Sequence, residues 1–353
     1  MTVKITKPSI NVRSELSELR KPSGTAGEAM LRAETPQEQF NLIGAGRRNI
    51  LINGDMRISQ RGDFSSEADA GNDSFQVDRW KLRNSQNSTD VHVNVVTNDL
   101  PPVLKNGYAL RCERQTDAPS STIHFGHRQF IEEYAKYAGM TLTYSAWVKS
   151  NHPVRLWIFE EGGSSAESES HPGDGQWHLL QVSKVISDNI TNLITYLTPY
   201  LQHILKTGDY HLSTLHQMEI GKVATPFEHR SYGEELALCQ RYCYVMGTPS
   251  VSTNDLFAVG TGNGTGTATT YHLHPVEMRA RPTLTYSALG DFAVYNFGTS
   301  AQLGAPTAIS LITTIATKTW SYVDYTRSGT TTGNAIMIRA ANTSAKLIFS
   351  AEL

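Results

Sequence analysis

Short segments of alternating apolar and polar residues, separated by turn residues, run through this chain from Asn49 onward. A period of two is the mark of a half-buried strand, and helical periodicity is confined to brief stretches. Many short strands at irregular spacing predict a β-sandwich of the jelly-roll kind over residues 49–230. The strand candidates are Asp90–Val96, Tyr108–Glu113, Thr141–Lys149, Val154–Phe159, Trp177–Val185 and Leu215–Ile220.

Residues 247–353 form a second β-rich region, dominated by Thr, Ser, Gly and Ala. We expect a distal all-β domain there. Because it holds few large apolar residues, we expect oligomerisation to complete its core. Its strand candidates are Thr269–Leu273, Thr283–Leu289, Ala308–Ile315, Trp320–Thr326, Ala335–Arg339 and Lys346–Ser350.

The segment Gln217–Arg241 separates these two regions. Its apolar run Met218–Ile220 suits a buried strand, which Gly221 and then Pro226 would end. Ser231 followed by Glu234 forms a capping box at a helix start. Helical spacing over residues 231–246 then predicts a helical linker, with its apolar stripe at Leu236, Cys239, Cys243 and Met246.

Residues 1–48 differ from the rest of the chain. They are interrupted by prolines and small residues and cannot bury a core alone. We expect an extended arm that docks on a partner, with a disordered tail as the alternative. The prolines and the one short helical stripe are Pro8, Pro22, Pro36, Val12, Leu16 and Leu19.

Charge and composition exclude several classes of protein. The chain has 31 basic and 33 acidic residues, so its balance favours neither nucleic acid nor an anionic membrane as partner. No apolar run approaches the ~18 residues of a membrane span, and the first residues lack the apolar core of a secretory signal. Three cysteines are too few for a disulfide scaffold and are expected in the core or as free thiols: Cys112, Cys239 and Cys243.

Several segments resemble known protein families. The stretch QMEIGKVATPFEHRSYGEELALCQR and the segment AETPQEQFNLIGAGRR resemble phage tail-fibre and virion-appendage proteins, as do HLHPVEMRARPTLTYS and the final AEL. NILINGDM with a later DRW, AGMTLTYSAWVKS, VRLWIFEEG and GDGQWHLLQVSKVI resemble carbohydrate-binding-module jelly rolls found in phage fibres.

These resemblances imply a mostly β structural protein of the virion, made in the host cytoplasm, that is not an enzyme. They imply a homotrimeric tail-fibre or appendage subunit whose arm, residues 1–48, contacts other tail or capsid proteins and whose partner outside is host-surface glycan. A capsid (head) fibre or decoration protein is the alternative, and a polysaccharide-degrading tailspike is the enzymatic rival.

Alternation also singles out a polar face with two tryptophans. Along Thr141–Lys149 the side chain of Trp147 falls opposite the apolar face, and along the next strand Arg155, Trp157 and Glu161 do the same. If the two strands are neighbours, these four side chains share one face. Such a platform suits subunit contact, sugar stacking, or packing beneath a loop, and all three readings stay open.

The resemblance to carbohydrate modules also implies a candidate site for a structural calcium ion. No other cofactor is expected. Oxygen ligands suit calcium, and the candidates are Asn53, Asp55, Asp78 and, on the closing strand, Glu219. Hydrogen bonding within turns is the alternative.

The remaining motifs predict no catalytic or metal site. The glycine run 260–266 matches no phosphate-binding pattern. The pairs His124/His127 and His272/His274 lack a third ligand at metal-binding spacing, and Glu160 and Glu161 point to opposite faces of a strand.

Overall fold

The fold is that of a computed structural model. It describes Arg32, Gln39 and residues 47–65, 68–69, 72–84, 90–120, 125–199, 203–247, 251–264, 266–299 and 301–353. The arm predicted for residues 1–48 lies outside the described residues, apart from Arg32, Gln39, Arg47 and Arg48. The mostly β fold class is confirmed, and the described residues from 47 to 353 form one short α-helix and four antiparallel sheets. No helix among the described residues is long and apolar enough to cross a membrane.

Sheet A forms one layer of the first sandwich. Its six strands run in the order β1-β3-β4-β11-β6-β9, so that β11, from the end of the domain, lies at the centre. The strands are β1 Ala68–Asp69, β3 Val91–Val96, β4 Ala109–Arg114, β6 Thr141–Ser150, β9 Trp177–Val185 and β11 Tyr210–Ile220.

Sheet B forms the facing layer, in the order β2-β5-β10-β7-β8. Its strands are β2 Lys81–Asn84, β5 Phe125–Phe130, β7 Val154–Glu161, β8 Ala166–Glu167 and β10 Asn192–Pro199. The predicted strands in this half of the chain are confirmed, whereas β5 and β10, the centre of sheet B, were not predicted.

The core lies between sheets A and B. Alternate residues of β6 and β7 point into it, as the period-two pattern predicts, and the opposite residues face outward. The inward residues of these two strands are Leu142, Tyr144, Ala146, Val148, Val154, Leu156 and Ile158.

One helix, α1 Tyr232–Gln240, follows the sandwich. The Ser231 half of the predicted capping box is confirmed, since the Ser231 side chain accepts the Glu234 backbone N–H at 3.4 Å, whereas the Glu234 side chain pairs with Arg47. The predicted helical stripe as far as Met246 is wrong. Residues Cys243–Met246 form strand β12, because their backbone pairs with a strand from the end of the chain.

Two further sheets build the C-terminal region. Sheet C has the order β12-β21-β15, with β15 Thr283–Tyr286 and β21 Leu347–Ser350. Sheet D has the order β17-β16-β20-β13-β14-β19-β18. Its strands are β13 Leu256–Gly262, β14 Thr267–Leu273, β16 Phe292–Asn296, β17 Ala301–Gly304, β18 Ala308–Leu311, β19 Trp320–Thr326 and β20 Ala335–Ala340.

This region has a core of its own within one chain. Phe257, Phe292, Tyr325 and Phe349 pack in a single buried apolar cluster between its sheets. The premise that oligomerisation must complete this core is therefore wrong. The trimer itself stays a prediction.

Segments from both family resemblances meet at one place, which we call the junction: residues 49–57 and 78–80, which resemble carbohydrate modules, and residues 217–242, which resemble phage appendage proteins. Glu228 accepts the backbone N–H groups of Arg48 and Asn49, at 2.9 and 2.6 Å. Arg230 donates to the carbonyl of Leu51 at 3.0 Å and pairs with the α1 residue Glu235. These contacts connect the first residues of the sandwich to the segment that follows its last strand, β11.

The junction also fastens the sandwich to the last residues of the sequence. The carboxylate of Glu352 pairs with Arg61 at 3.0 Å and with Arg79 at 2.5 Å. Arg79 lies 3.6 Å from the centre of the Tyr242 ring and donates to the carbonyl of Phe130. All these charges are largely shielded from solvent, so the contact orients the two sandwiches by buried ion pairs.

Candidate functional site

The structure separates the two tryptophans that the sequence predicts on one face. Trp147 lies in sheet A and Trp157 in sheet B, because the turn at residues 151–153 carries the chain from one sheet to the other. Strand β6 pairs with β9 and β11, and β7 pairs with β8 and β10. The two indoles therefore lie on opposite outer surfaces of the sandwich, and the shared platform is wrong.

Trp157 instead belongs to a group of aromatic and apolar side chains from three strands of sheet B. Trp157 of β7 pairs with Tyr196 of β10, and Phe159 of β7 pairs with Ile194 of β10. On its other side, Ile194 pairs with Phe130 of β5. We call the surface formed by these five residues the aromatic face. Trp157 and Phe159 are partly exposed, whereas Tyr196 and Ile194 between the neighbouring strands are buried.

The rings of the aromatic face pack on one another at angles. The centre of the Trp157 ring lies 5.3 Å from that of Phe159 and 5.7 Å from that of Tyr196. The first pair meets edge-on and the second is tilted by 43°. Edge-on and tilted arrangements at these distances are favourable geometries for aromatic pairs.

Charged side chains flank the aromatic face along the same row of the sheet. Lys81 and Arg128 extend the Tyr196–Trp157 pair on one side, and Glu167 ends it on the other. Arg128 donates to the Tyr196 hydroxyl at 3.3 Å. The row thus runs from two cations across two aromatic rings to a carboxylate.

Arg155 and Glu161 lie on the same side of sheet B as Trp157. Arg155, which is 6% exposed, forms an ion pair with Glu167. The carboxylate of Glu161, at the exposed end of β7, accepts a hydrogen bond from the Asn192 side chain at 3.0 Å. Three of the four predicted candidates therefore share this face, and Trp147 does not.

Sequence reasoning missed Tyr196, Ile194, Phe130 and Arg128, since it missed strands β5 and β10. Strand β10 is apolar on both sides and shows no alternation, and β5 places His127 and Gln129 inward. The β-rich composition of residues 192–199 (NLITYLTP) is the one signal that could have indicated β10.

The residues predicted for calcium do not converge on one position. The Asn53 amide bonds to the backbone of Ile58 and Asp78, and Asp55 pairs with Arg57 at 3.1 Å. The carboxylate of Asp78 accepts from Gln60 and Arg61, and that of Glu219 accepts from Thr225 and Gln217. Calcium there would have to displace these donors, and it stays a prediction.

The C-terminal sheet D carries a second aromatic surface. The rings of Tyr271, Trp320 and Tyr322 lie within 5.0–5.8 Å of one another across β14 and β19. Leu273, opposite Trp320, is 64% exposed, and Tyr271 is 46% exposed. This surface is more open than the aromatic face of sheet B.

Adjacent carboxylates on β7 have separate roles, as alternation predicts. Glu160 is 1% exposed and accepts hydrogen bonds from the Ser187 backbone and hydroxyl at 3.0 and 2.7 Å. Lys184 pairs with it at 3.3 Å, while Glu161 faces the opposite side. Glu160 thus stabilises the sandwich.

The sequence matches no protein-family model and no curated protein. Among solved structures, the chain is similar to the enzymatically active domain of tailspike protein 4 of bacteriophage CBA120, at 13% identity and a TM-score of 0.34. That match covers 49% of this chain and 21% of the other, so the chain spans about a fifth of the tailspike domain.

Carbohydrate-binding modules give similar scores. A CBM61 module in complex with beta-1,4-galactotriose is 14% identical with a TM-score of 0.32, covering 50% of this chain and 100% of the module. A CBM22 tandem from Paenibacillus barcinonensis Xyn10C is 12% identical with a TM-score of 0.29, covering 83% of this chain and 97% of the tandem. Similarities at this level are too weak to assign a ligand, a partner or an activity.

Proposed function

We propose that this chain is a non-enzymatic attachment subunit of a phage tail fibre and that it binds host-surface glycan through the aromatic face of sheet B. The observation that carries the binding proposal is the row Lys81–Arg128–Tyr196–Trp157–Glu167 across the outer side of the sandwich. The phage assignment rests on the sequence resemblance of the junction segments.

The chemistry of the row suits a sugar. The C–H faces of a pyranose ring stack on an indole, which removes apolar area from water, and hydroxyl groups bond to charged side chains at the rim. Arg128 and Glu167 offer a donor and an acceptor on opposite sides of Trp157. Ion pairs with Asp73 and Arg155 hold these two rim groups in place.

The test compares two variants, because the two tryptophans lie on opposite outer surfaces of the sandwich. Trp157→Ala removes the indole of the aromatic face, and Trp147→Ala removes an indole from the opposite surface of the same sandwich. Full-length protein is applied to an array of bacterial lipopolysaccharide and capsule oligosaccharides. We expect Trp157→Ala to weaken binding about tenfold, or about 1–2 kcal/mol, and Trp147→Ala to leave it unchanged.

Equal binding by wild type and Trp157→Ala, or equal loss in both variants, would contradict the glycan site. A changed molecular mass of Trp157→Ala would show that the aromatic face contacts another subunit. Release of new reducing ends from the same polysaccharides by wild type would favour the tailspike alternative, because a binding subunit releases none.

Subunit contact is the second candidate role, and the exposed surface of sheet D favours it there. Contiguous apolar side chains at high exposure mark interaction sites, and we propose that Tyr271, Leu273 and Trp320 contact other copies in a homotrimer. Leu273→Glu should lower the mass measured in solution at micromolar concentration. Val103→Glu, at an equally exposed apolar residue on the first sandwich, is the matched control.

Attachment to the particle, to the tail or to the head capsid, is proposed for the N-terminal segment. The deletion should end at residue 46, because Arg48 and Asn49 are held by Glu228. We expect the shortened chain to fold and to be missing from assembled particles. Its normal incorporation would show that another surface attaches the protein.

A further inference from the structure

A row of imidazole rings lies between the two sheets of the first sandwich. His127 on β5 and His211 on β11 meet edge-on with ring centres 5.6 Å apart, and Cys112 on β4 lies beside them. The Cys112 sulfur is 3.1 Å from Nε2 of His127. The three ligand-type atoms lie within 4.8 Å of one another, and all three residues are completely buried.

The ring of His211 has no hydrogen-bond partner at either nitrogen, and Nδ1 of His127 has none either, among the residues that the structure describes. Leaving a buried polar atom without a partner destabilises the folded chain. His216, in the same core, differs in that its Nδ1 bonds to the Tyr144 hydroxyl at 2.8 Å. The interior therefore holds unused nitrogen donors that converge on one cysteine.

We propose that Cys112, His127 and His211 bind a soft transition-metal ion, Cu⁺. A thiolate with two imidazoles is a donor set for copper and zinc. Charge decides between them, since one thiolate balances Cu⁺ and leaves a net positive charge beside Zn²⁺. An uncompensated charge in a completely buried site is costly.

The protonation state of the imidazoles agrees with this role. Burial lowers the pKa of His127 to about 3 and that of His211 well below its ordinary value, so both rings are neutral and can ligate. Burial also raises the pKa of the Cys112 thiol. Metal binding would replace that proton, and the ion would compensate the thiolate charge.

Further ligand-type side chains lie between the buried group and the surface. The ring of His152 lies 6.1 Å from that of His211, and the ring of His203 stacks on His152 at 5.2 Å. Nε2 of His203 contacts Asp209 at 2.8 Å, and both residues are partly exposed. These three residues form a second ligand-type group between solvent and the buried one.

The first experiment uses the full-length chain without any substitution. Reduced protein is incubated anaerobically with Cu⁺ as its acetonitrile complex or, separately, with Zn²⁺, then passed through gel filtration. We expect one copper per chain by elemental mass spectrometry and a raised thermal midpoint. X-ray absorption at the copper edge should show one sulfur and two nitrogen neighbours.

Substitutions then test the ligands. Cys112→Ser and His211→Gln should each abolish copper retention. The matched controls Cys239→Ser and His216→Gln change residues that are as deeply buried but lie outside the group, and each should keep one copper per chain.

Three outcomes would overturn the proposal: no copper retained by wild type, a copper spectrum without sulfur, or full retention by Cys112→Ser. Retention of Zn²⁺ alone would overturn the assignment to Cu⁺. Should the substituted proteins fail to fold, the wild-type spectrum still decides, because it reports the donor atoms directly.

Discussion

The junction and the aromatic face are both parts of the first sandwich, but they relate to the sequence in different ways. The junction gathers recognisable segments of the chain, which contact one another through side chains: the Glu228 carboxylate accepts from the first backbone N–H groups of the sandwich, and Arg230 pairs with Glu235 of α1. On the aromatic face only Trp157 and Phe159 lie in a segment with a family resemblance, VRLWIFEEG of β7. The face is assembled from side chains on β5, β7 and β10 that come together only through strand pairing.

The two regions differ in the number of partners and the solvent exposure of their side chains. In the junction Arg79 and Arg230 are shielded from solvent and have several partners each, so their substitution should act on stability. On the aromatic face Trp157 and Phe159 are partly exposed, so their substitution should act on binding. The local pattern therefore identifies the β7 residues of the proposed binding surface, whereas their neighbours on β5 and β10 have to be found in the folded chain.

The largest effect is expected for Arg79→Ala in the junction. It leaves Glu352 buried with one cation fewer and removes the contact with the Tyr242 ring. Breaking a buried ion pair on one side costs about 3–5 kcal/mol, which urea unfolding would measure. Arg111→Ala removes a more exposed pair with Glu113 and should cost about 1 kcal/mol or less. Equal effects would show that the junction is not a special site of stability.

Gly54→Ala should come next. A Cβ atom at Gly54 would lie 2.1 Å from the backbone oxygen of His216 and 3.2 Å from the Phe227 ring, so β11 would have to move. Overpacking against backbone costs about 1–3 kcal/mol. Gly233→Ala, where a Cβ atom meets nothing within 4 Å, is the control. Similar thermal midpoints for the two variants would contradict the close approach seen in the junction.

Asp78 should give the junction a pH dependence. Burial raises the pKa of its carboxyl from 3.8 to about 6, despite the opposing effect of Arg61. A raised pKa means that the folded state binds the proton more tightly, so this contribution is complete below about pH 4 and is lost as pH rises through about 6. Relative to Asp78→Asn, wild type should gain about 2–3 kcal/mol on going from pH 7 to pH 4. Parallel stability curves would contradict this.

The sequence predicted the positions of the strands better than the pairing between strands. Alternation along β6 and β7 correctly assigned which residues face the core, because that choice depends on local pattern alone. It placed Trp147 beside Trp157 because it took the turn at 151–153 for a hairpin. Only pairing with β11 and β10, far away in the sequence, assigns those strands to different sheets.

The histidine group was missed for a similar reason. His127 was judged by its neighbours in sequence, whereas its partners Cys112 and His211 are on two other strands. Ligand spacing in a sequence reports sites built on one turn or helix. A site built across a sandwich has no fixed spacing, and it becomes visible only once the register of both sheets is known.

The smallest effect is expected for Tyr196→Phe on the aromatic face. The change keeps the ring that packs against Trp157 and removes only the hydroxyl that accepts from Arg128 at 3.3 Å. A hydrogen bond of this kind contributes about 0.5–1.5 kcal/mol, so the thermal midpoint should fall slightly. Glycan affinity should fall by a few-fold at most, because Arg128 keeps its ion pair with Asp73 and stays at the rim.

The control is Tyr325→Phe, which removes a buried hydroxyl from the C-terminal sandwich and should leave glycan binding unchanged. A loss of affinity in Tyr196→Phe as large as in Trp157→Ala would mean that the hydroxyl, rather than the stacked rings, holds the sugar.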